Sequence, residues 1–289
     1  MVQIATIIKP MDGLASLIDR WWRAYATGNA TTRHKKAADL RRYVWQAQIR
    51  ESAQITQQSI QRHLCQMSSN YGHSAIRQSL TAIFQFCEFL VAQGIMSKNH
   101  ALGCKNPARC EKKPPHYLTD ELIDIVYKSA RKHNIYSPVL LALKEGLTIA
   151  EIALIRWECM MFESRLVQTY RGKTGKVRTI PMHSMVYDHF YPIRQPDGYV
   201  FTHRKQRPGK GTAPYCVAWY HQQLDKVQKD VPQLRGWHDL RRTFAVRLAK
   251  SPEVSLWDLK NYLGHSKIQT TEIYAGYQPC GYNANIENA

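Results

Sequence analysis

The chain has 289 residues, 44% hydrophobic and 21% charged, enough for one large domain or two ordinary ones. That balance excludes wholesale disorder, a collagen-like fibre and a disulfide-dense mini-protein. Forty Lys and Arg against 22 Asp and Glu leave a formal net charge of +18, which points first to a nucleic acid and next to an anionic membrane surface. The excess is not a tail. Residues 1–110 hold 14 basic and 5 acidic side chains, and residues 111–289 hold 26 and 17, so each part carries the same surplus and suits a polyanion touched by both.

In chain order, Leu14–Tyr25 carries Leu14, Leu17, Ile18 and Trp21 at helical spacing. Residues 32–47 form a second expected helix, with Arg33, Lys35, Lys36, Arg41 and Arg42 as a basic cluster. Thr56 is placed to cap a third, containing Ile60, Leu64 and Met67. The fourth has the clearest stripe, Ile76, Leu80, Ile83, Cys87 and Leu90, and Gly94 stops it. Residues 94–118, with Gly94, Gly103, Pro107, Pro114 and Pro115, read as a linker. A helix then starts at Thr119, with Asp120 and Glu121 in its first turn, and two more are expected over 137–147 and 149–159 around Gly146. The period next shortens. Leu166–Tyr170 and Val177–Pro181 are strand candidates joined by a turn containing Gly172, Lys173 and Gly175, and a third strand is expected at Tyr199–Thr202. Helices near 215–227, 238–249, 254–262 and 267–275 complete the chain. Seven Cys without a CxxC pair predict reduced thiols in an intracellular protein. Cys104 and Cys110 with His100 and His116 are compatible with zinc, but no metal is expected. No apolar run is long enough to span a membrane and no secretory signal is seen, so the expected location is the cytoplasm, at the nucleoid. Neither a GxxxxGK[ST] loop nor a GxGxxG turn is present, and no cofactor is expected.

Four separated features carry chemistry: Lys173 on the hairpin, His238-x-x-Arg241 near a helix start, Leu263-Gly264-His265, and Tyr274. Singly each is weak. Together, His238-Asp239-Leu240-Arg241-Arg242 and Leu263-Gly264-His265-Ser266 with Thr270-Thr271-Glu272-Ile273-Tyr274 resemble the tyrosine recombinases, the family of phage integrases and Xer-type and Cre-type enzymes. Ala75-Ile76-Arg77, Asn106-Pro107 and the Pro115–Thr119 stretch extend the resemblance over nearly the whole chain.

The resemblance implies a mainly α protein. A helical, SAM-like core-binding domain (12–100) and a linker (101–116) would precede a mixed α/β catalytic domain with a small antiparallel sheet (117–275). A tail (276–289) would be exchanged between protomers, and no arm-binding domain is expected ahead of residue 12. It also implies a C-shaped clamp on double-stranded DNA at an inverted-repeat core site, with dimers and tetramers forming there. Arg33, Lys35, Lys36, Arg62 and Arg77 are the first domain's DNA-binding candidates, and Arg204, Lys205 and Arg207 lie on a basic loop of the second. Tyr274 would be the nucleophile and form a 3′-phosphotyrosine. Arg241 would hold the phosphate's nonbridging oxygens, Lys173 would protonate the leaving 5′-oxygen, His238 would assist proton transfer, and His265 would donate to the phosphate.

One position departs from the pattern. Where the family has Gly-Leu-Arg-x-x-Glu, this chain has Gly146-Leu147-Thr148-Ile149-Ala150-Glu151, with Leu154 and Trp157 following in register. Thr148 offers one neutral hydroxyl where Arg offers five charged donors. Three explanations are open: a weakened or repurposed enzyme, a relocated cation (Lys144 or Arg156), or an engineered variant that traps a DNA complex. The functional expectation is a site-specific recombinase impaired at Thr148. Its alternatives are a degenerate DNA-binding protein of the same fold and a strand-relaxing enzyme that nicks and reseals.

Overall fold

A computed structural model describes residues 13–109, 114–171, 176–202 and 213–278. The chain forms two compact units, Met1–Lys112 and Lys113–Ala289. Lys173, the basic loop with Arg204, Lys205 and Arg207, and residues 279–289 of the tail lie outside the described residues.

Among the described residues, the first unit has four α-helices, α1 (Leu14–Ala24), α2 (Ala30–Gln46), α3 (Gln57–Ser68) and α4 (His73–Ala92), with a 3-10 turn at Ser52–Gln54. The stripe on α1 buries Leu14, Leu17, Ile18 and Trp21, and Trp21 meets Phe86 of α4 edge-on at 5.7 Å between centroids. Thr56 caps α3 as the sequence implies: its hydroxyl accepts from the Ser59 amide while the Ser59 side chain returns to the Thr56 amide. On α4, Ile76, Ile83, Cys87 and Leu90 are fully buried, and Gly94 beyond it takes the left-handed conformation (φ 69°). Much of the expected linker is fastened to this unit. Gln57 donates to the Gly103 carbonyl, Gln61 brackets Lys105, and Asn106 donates to the His73 carbonyl.

The second unit opens with α5 (Asp120–Lys132), α6 (Tyr136–Lys144) and α7 (Ile149–Leu154). Val139–Leu143 of α6 are buried on every side, which explains a helix without a polar face. The sequence expected α7 to run to 159. It ends at Leu154, and a 3-10 turn at Trp157–Cys159 leads into the sheet. That sheet has the order β1 (Met160–Met161), β2 (Leu166–Arg171), β3 (Lys176–Pro181), all antiparallel. The expected third strand at Tyr199–Thr202 is a correction: among the described residues it makes the isolated bridges Arg156–Tyr199 and Thr202–Pro214 and no ladder, while the two-residue β1 was too short to show a period. Helices α8 (Ser184–Phe190, not foreseen), α9 (Val217–Asp230), α10 (Trp237–Ala249) and α11 (Leu256–Leu263) follow. The expected helix at 267–275 is instead two 3-10 segments, Ile268–Thr270 and Glu272–Tyr277. The unit's entry is tied to α10: the Leu118 amide donates to Thr243 Oγ1 at 2.9 Å, and His116 Nδ1 lies 3.0 Å from Asp239 Oδ2.

Candidate active site and nucleic-acid contacts

The site begins at a turn. Gly146 joins α6 to α7 with φ 60°, and a Cβ there would stand 2.4 Å from the Phe244 ring, so glycine meets both a backbone and a packing requirement. Its carbonyl accepts from Arg241 Nη1 at 2.5 Å. Arg241 Nη2 also donates to the Leu263 carbonyl at the end of α11. One buried guanidinium thus joins the α6–α7 turn to α10 and α11.

Position 148 is the N-cap of α7. Thr148 Oγ1 accepts from the Glu151 amide, and Glu151 Oε2 accepts from the Thr148 amide at 2.7 Å and from its hydroxyl at 2.8 Å. The same oxygen lies 3.5 Å from Arg241 Nη1 and 3.3 Å from Nη2 of Arg178 on β3. Arg178 Nε donates to Thr169 Oγ1, its cross-strand neighbour on β2, at 3.2 Å. Burial alone would raise the Glu151 carboxyl, but Arg178, the Thr148 amide, Arg241 and the Thr148 hydroxyl together hold it below the usual glutamate value. It is therefore an ionised, hidden carboxylate that organises two guanidiniums.

His238 is on the first turn of α10, exposed, with Arg241 one turn on. Partial desolvation and the charges of Arg242 and Arg241 lower its pKa, against Asp239, so it is a neutral proton acceptor near pH 7. Gly264 caps α11 in the left-handed conformation and turns the chain so that His265 Nδ1 meets Thr271 Oγ1 at 2.9 Å. Tyr274 is 4% exposed and packs with Ala245, Val246, Ala249, Leu259 and Leu263. Burial raises its phenol, while Arg241 and Arg242 pull it down. The fold therefore gathers Thr148, Glu151, Arg241 and Tyr274, with His238 within Arg241's field and His265 on the segment leading to Tyr274.

Neither expected relocated cation is part of this cluster. Lys144 lines a groove with His183, Phe244 and Arg247, and Arg156 pairs with Glu158 at 2.8 Å and lies over the Tyr199 ring. Arg178 and Thr169 are the residues that sequence reading missed. Their signal was an inverted alternation on β3, where Val177 is 57% exposed and Arg178 faces inward.

Of the DNA-binding candidates, Lys35, Arg62 and Arg77 are exposed, and half-buried Arg33 donates to the Arg23 carbonyl at 3.4 Å. Lys36 is a correction. Its ammonium donates to the Thr27 carbonyl, Thr27 Oγ1 and Gln85 Oε1, each at 2.8 Å, so all three donors hold α2 to its neighbours rather than await a phosphate.

Residues 117–279 match the phage integrase family. A tyrosine recombinase of Pseudothermotoga lettingae is 22% identical over 217 residues, covering 73% of each chain. Tyrosine recombinase XerA of Pyrococcus furiosus is 27% identical over 209 residues, 68% of this chain and 66% of its own. The fold is similar to that of the Tn1549 transposon integrase in complex with a circular intermediate DNA (TM-score 0.72, 18% identity, 94% of this chain and 98% of that one). It is also similar to a lambda integrase tetramer bound to a Holliday junction (TM-score 0.72, 15% identity, 92% and 77%). With the match spanning more than half of its length, the chain belongs to the phage integrase family of tyrosine recombinases.

Proposed function

We propose that the protein cleaves and rejoins double-stranded DNA at a specific site through Tyr274. The observation that carries this reading is the Tyr274 phenol packed beside α10 within the charge of Arg241, which also bridges the α6–α7 turn and the end of α11. In the first step Tyr274 Oη attacks the scissile phosphorus, its proton passing toward His238. The Tyr–O–P bond forms as the P–O5′ bond breaks, and the leaving 5′-oxygen takes a proton, which we assign to Lys173. A 5′-hydroxyl of another strand reverses the step, so the diester count is conserved and no nucleotide or metal is consumed. Arg241 and His265 stabilise the pentavalent intermediate, whose charge is more concentrated than that of the ground-state diester.

Thr148 limits the rate in this reading. One charged oxyanion donor is worth on the order of 3 kcal/mol, or about a hundredfold or more. Here position 148 supplies a neutral hydroxyl already bonded to Glu151. Assembly would place dimers, then tetramers, on an inverted-repeat core, in keeping with the tetrameric lambda integrase complex. Exposed Lys35, Arg62 and Arg77, together with Arg204, Lys205 and Arg207, would meet phosphates, and the working compartment would be the cytoplasm. The second reading, a DNA-binding protein that no longer cleaves, is favoured by the same engagement of Thr148.

The test is a single-turnover time course on a nicked suicide duplex resolved by denaturing gel. The unmodified protein forms covalent complex slowly, Thr148→Arg accelerates it by about a hundredfold with little change in affinity, and Tyr274→Phe abolishes it. Covalent product persisting in Tyr274→Phe removes the assigned nucleophile. Normal binding with no cleavage by either the unmodified protein or Thr148→Arg supports the non-cleaving reading.

A further inference from the structure

We infer that Arg178 acts on the scissile phosphate beside Arg241 and supplies from β3 part of the charge that the family pattern places at position 148. The inference rests on the recombinase reading above and deepens it. Arg178 and Arg241 are alike in two respects. Both side chains are nearly hidden, 8% and 6% exposed. Both approach Glu151 Oε2, at 3.3 and 3.5 Å, so the two guanidiniums stand on one carboxylate. That carboxylate also anchors the backbone of residue 148, whose amide donates to it, so Arg178 is next to the place the missing side chain would start from.

The local charge supports the same conclusion. Glu151, Arg178 and Arg241 together carry a net positive charge in a desolvated setting, and Arg178 is the strongest of the cations holding Glu151 ionised. A guanidinium on the inward side of a short strand loses hydration, and the shared carboxylate offsets part of that cost. A phosphate diester arriving beside Thr148 would meet both guanidiniums. The hairpin links this to the rest of the chemistry, because β2 and β3, which carry Thr169 and Arg178, flank the turn that contains Lys173. Lysine does not reproduce a planar fork held by Thr169 through Nε and by Glu151 through Nη2.

The experiment compares the unmodified protein, Arg178→Lys and Arg178→Ala, each with and without Thr148→Arg. Single-turnover cleavage is measured at saturating protein on suicide duplexes with either an ordinary diester or a methylphosphonate at the scissile position, and Kd is measured in parallel. The expected result on the diester is a further loss of about tenfold or more for Arg178→Ala and a smaller loss for Arg178→Lys, with Kd within about threefold. On the methylphosphonate, which lacks one charged nonbridging oxygen, most of that loss disappears. The loss also shrinks in the Thr148→Arg background, where a second guanidinium is present. Because Arg178→Ala strips Glu151 of its main partner, a variant that does not fold is set aside and Arg178→Lys on the two substrates decides. Equal fractional losses on both substrates would mean that Arg178 only props up Glu151, and would overturn the inference. So would an undiminished rate in Arg178→Ala. Cleavage by Thr148→Arg but none by the unmodified protein overturns it too, while leaving Tyr274 as nucleophile. Binding without cleavage in both removes the recombinase reading and this inference with it.

Discussion

Glu145 offers a direct test of how this fold treats charge. It is 1% exposed, one residue before the Gly146 turn, and its Oε1 accepts from the His183 amide at 2.8 Å. Burial pushes its carboxyl up to about 8, against weaker opposing pulls from the His183 amide and Arg178. The folded chain therefore keeps a proton that the unfolded chain releases above about pH 4.5. Stability from this group is complete below that value and is lost as pH rises through 8. At 1.36 kcal/mol per pKa unit, the burden at pH 7.5 reaches about 4 kcal/mol as an upper bound. Glu145→Gln retains the acceptor for the His183 amide and removes the titration. It should stabilise the second unit by about 2 kcal/mol at pH 7.5 and by almost nothing at pH 4.5. Urea midpoints measured at several pH values for both proteins, read by a probe confined to the second unit, would show the curves converging at acid pH. A Gln variant less stable than its parent at pH 8 would refute the reasoning, because Glu145 would then be ionised and paired.

Three further outcomes follow from the same structure. His63 is 1% exposed, touches Ser79 Oγ at 3.4 Å, and is held near a pKa of about 4, mainly by burial and then by Arg42. Its depressed pKa means that first-unit stability is complete above about pH 6.5 and falls by about 3 kcal/mol on the way to pH 4, and His63→Leu should flatten that slope in acid melts. Gly146→Ala forces a side chain into a left-handed position against Phe244 and should destabilise the second unit by about 2–4 kcal/mol while disturbing Arg241. An unchanged melt would show that the turn relaxes freely. For DNA binding, Arg62→Ala should reduce the salt slope of log K by about 1, whereas Lys36→Met should lower first-unit stability and leave the slope unchanged. A reversed pattern in salt titrations would return Lys36 to the interface.

The sequence by itself determined features with local causes. The α4 stripe, the Thr56 cap, the Gly94 stop and the β2–β3 hairpin all follow from side-chain period and backbone preference within one element. Arg241, His265 and Tyr274 are proposed for another reason: their spacing resembles a family motif. Tertiary packing decided what locality could not. Residues 267–275 became 3-10 turns where the sequence pointed to a helix, β1 was too short to carry a period, and Lys36 left the basic surface because Thr27 and Gln85 meet it across the first unit. The largest difference is at position 148. The resemblance points to threonine at a position where the family pattern has arginine, but Glu151 and Arg178, 27 residues apart, share a carboxylate-guanidinium contact because β2 packs against α7 and β3 pairs with β2. Such a contact depends on two elements meeting in space, and strand alternation alone could mark Arg178 as inward-facing without naming its partner.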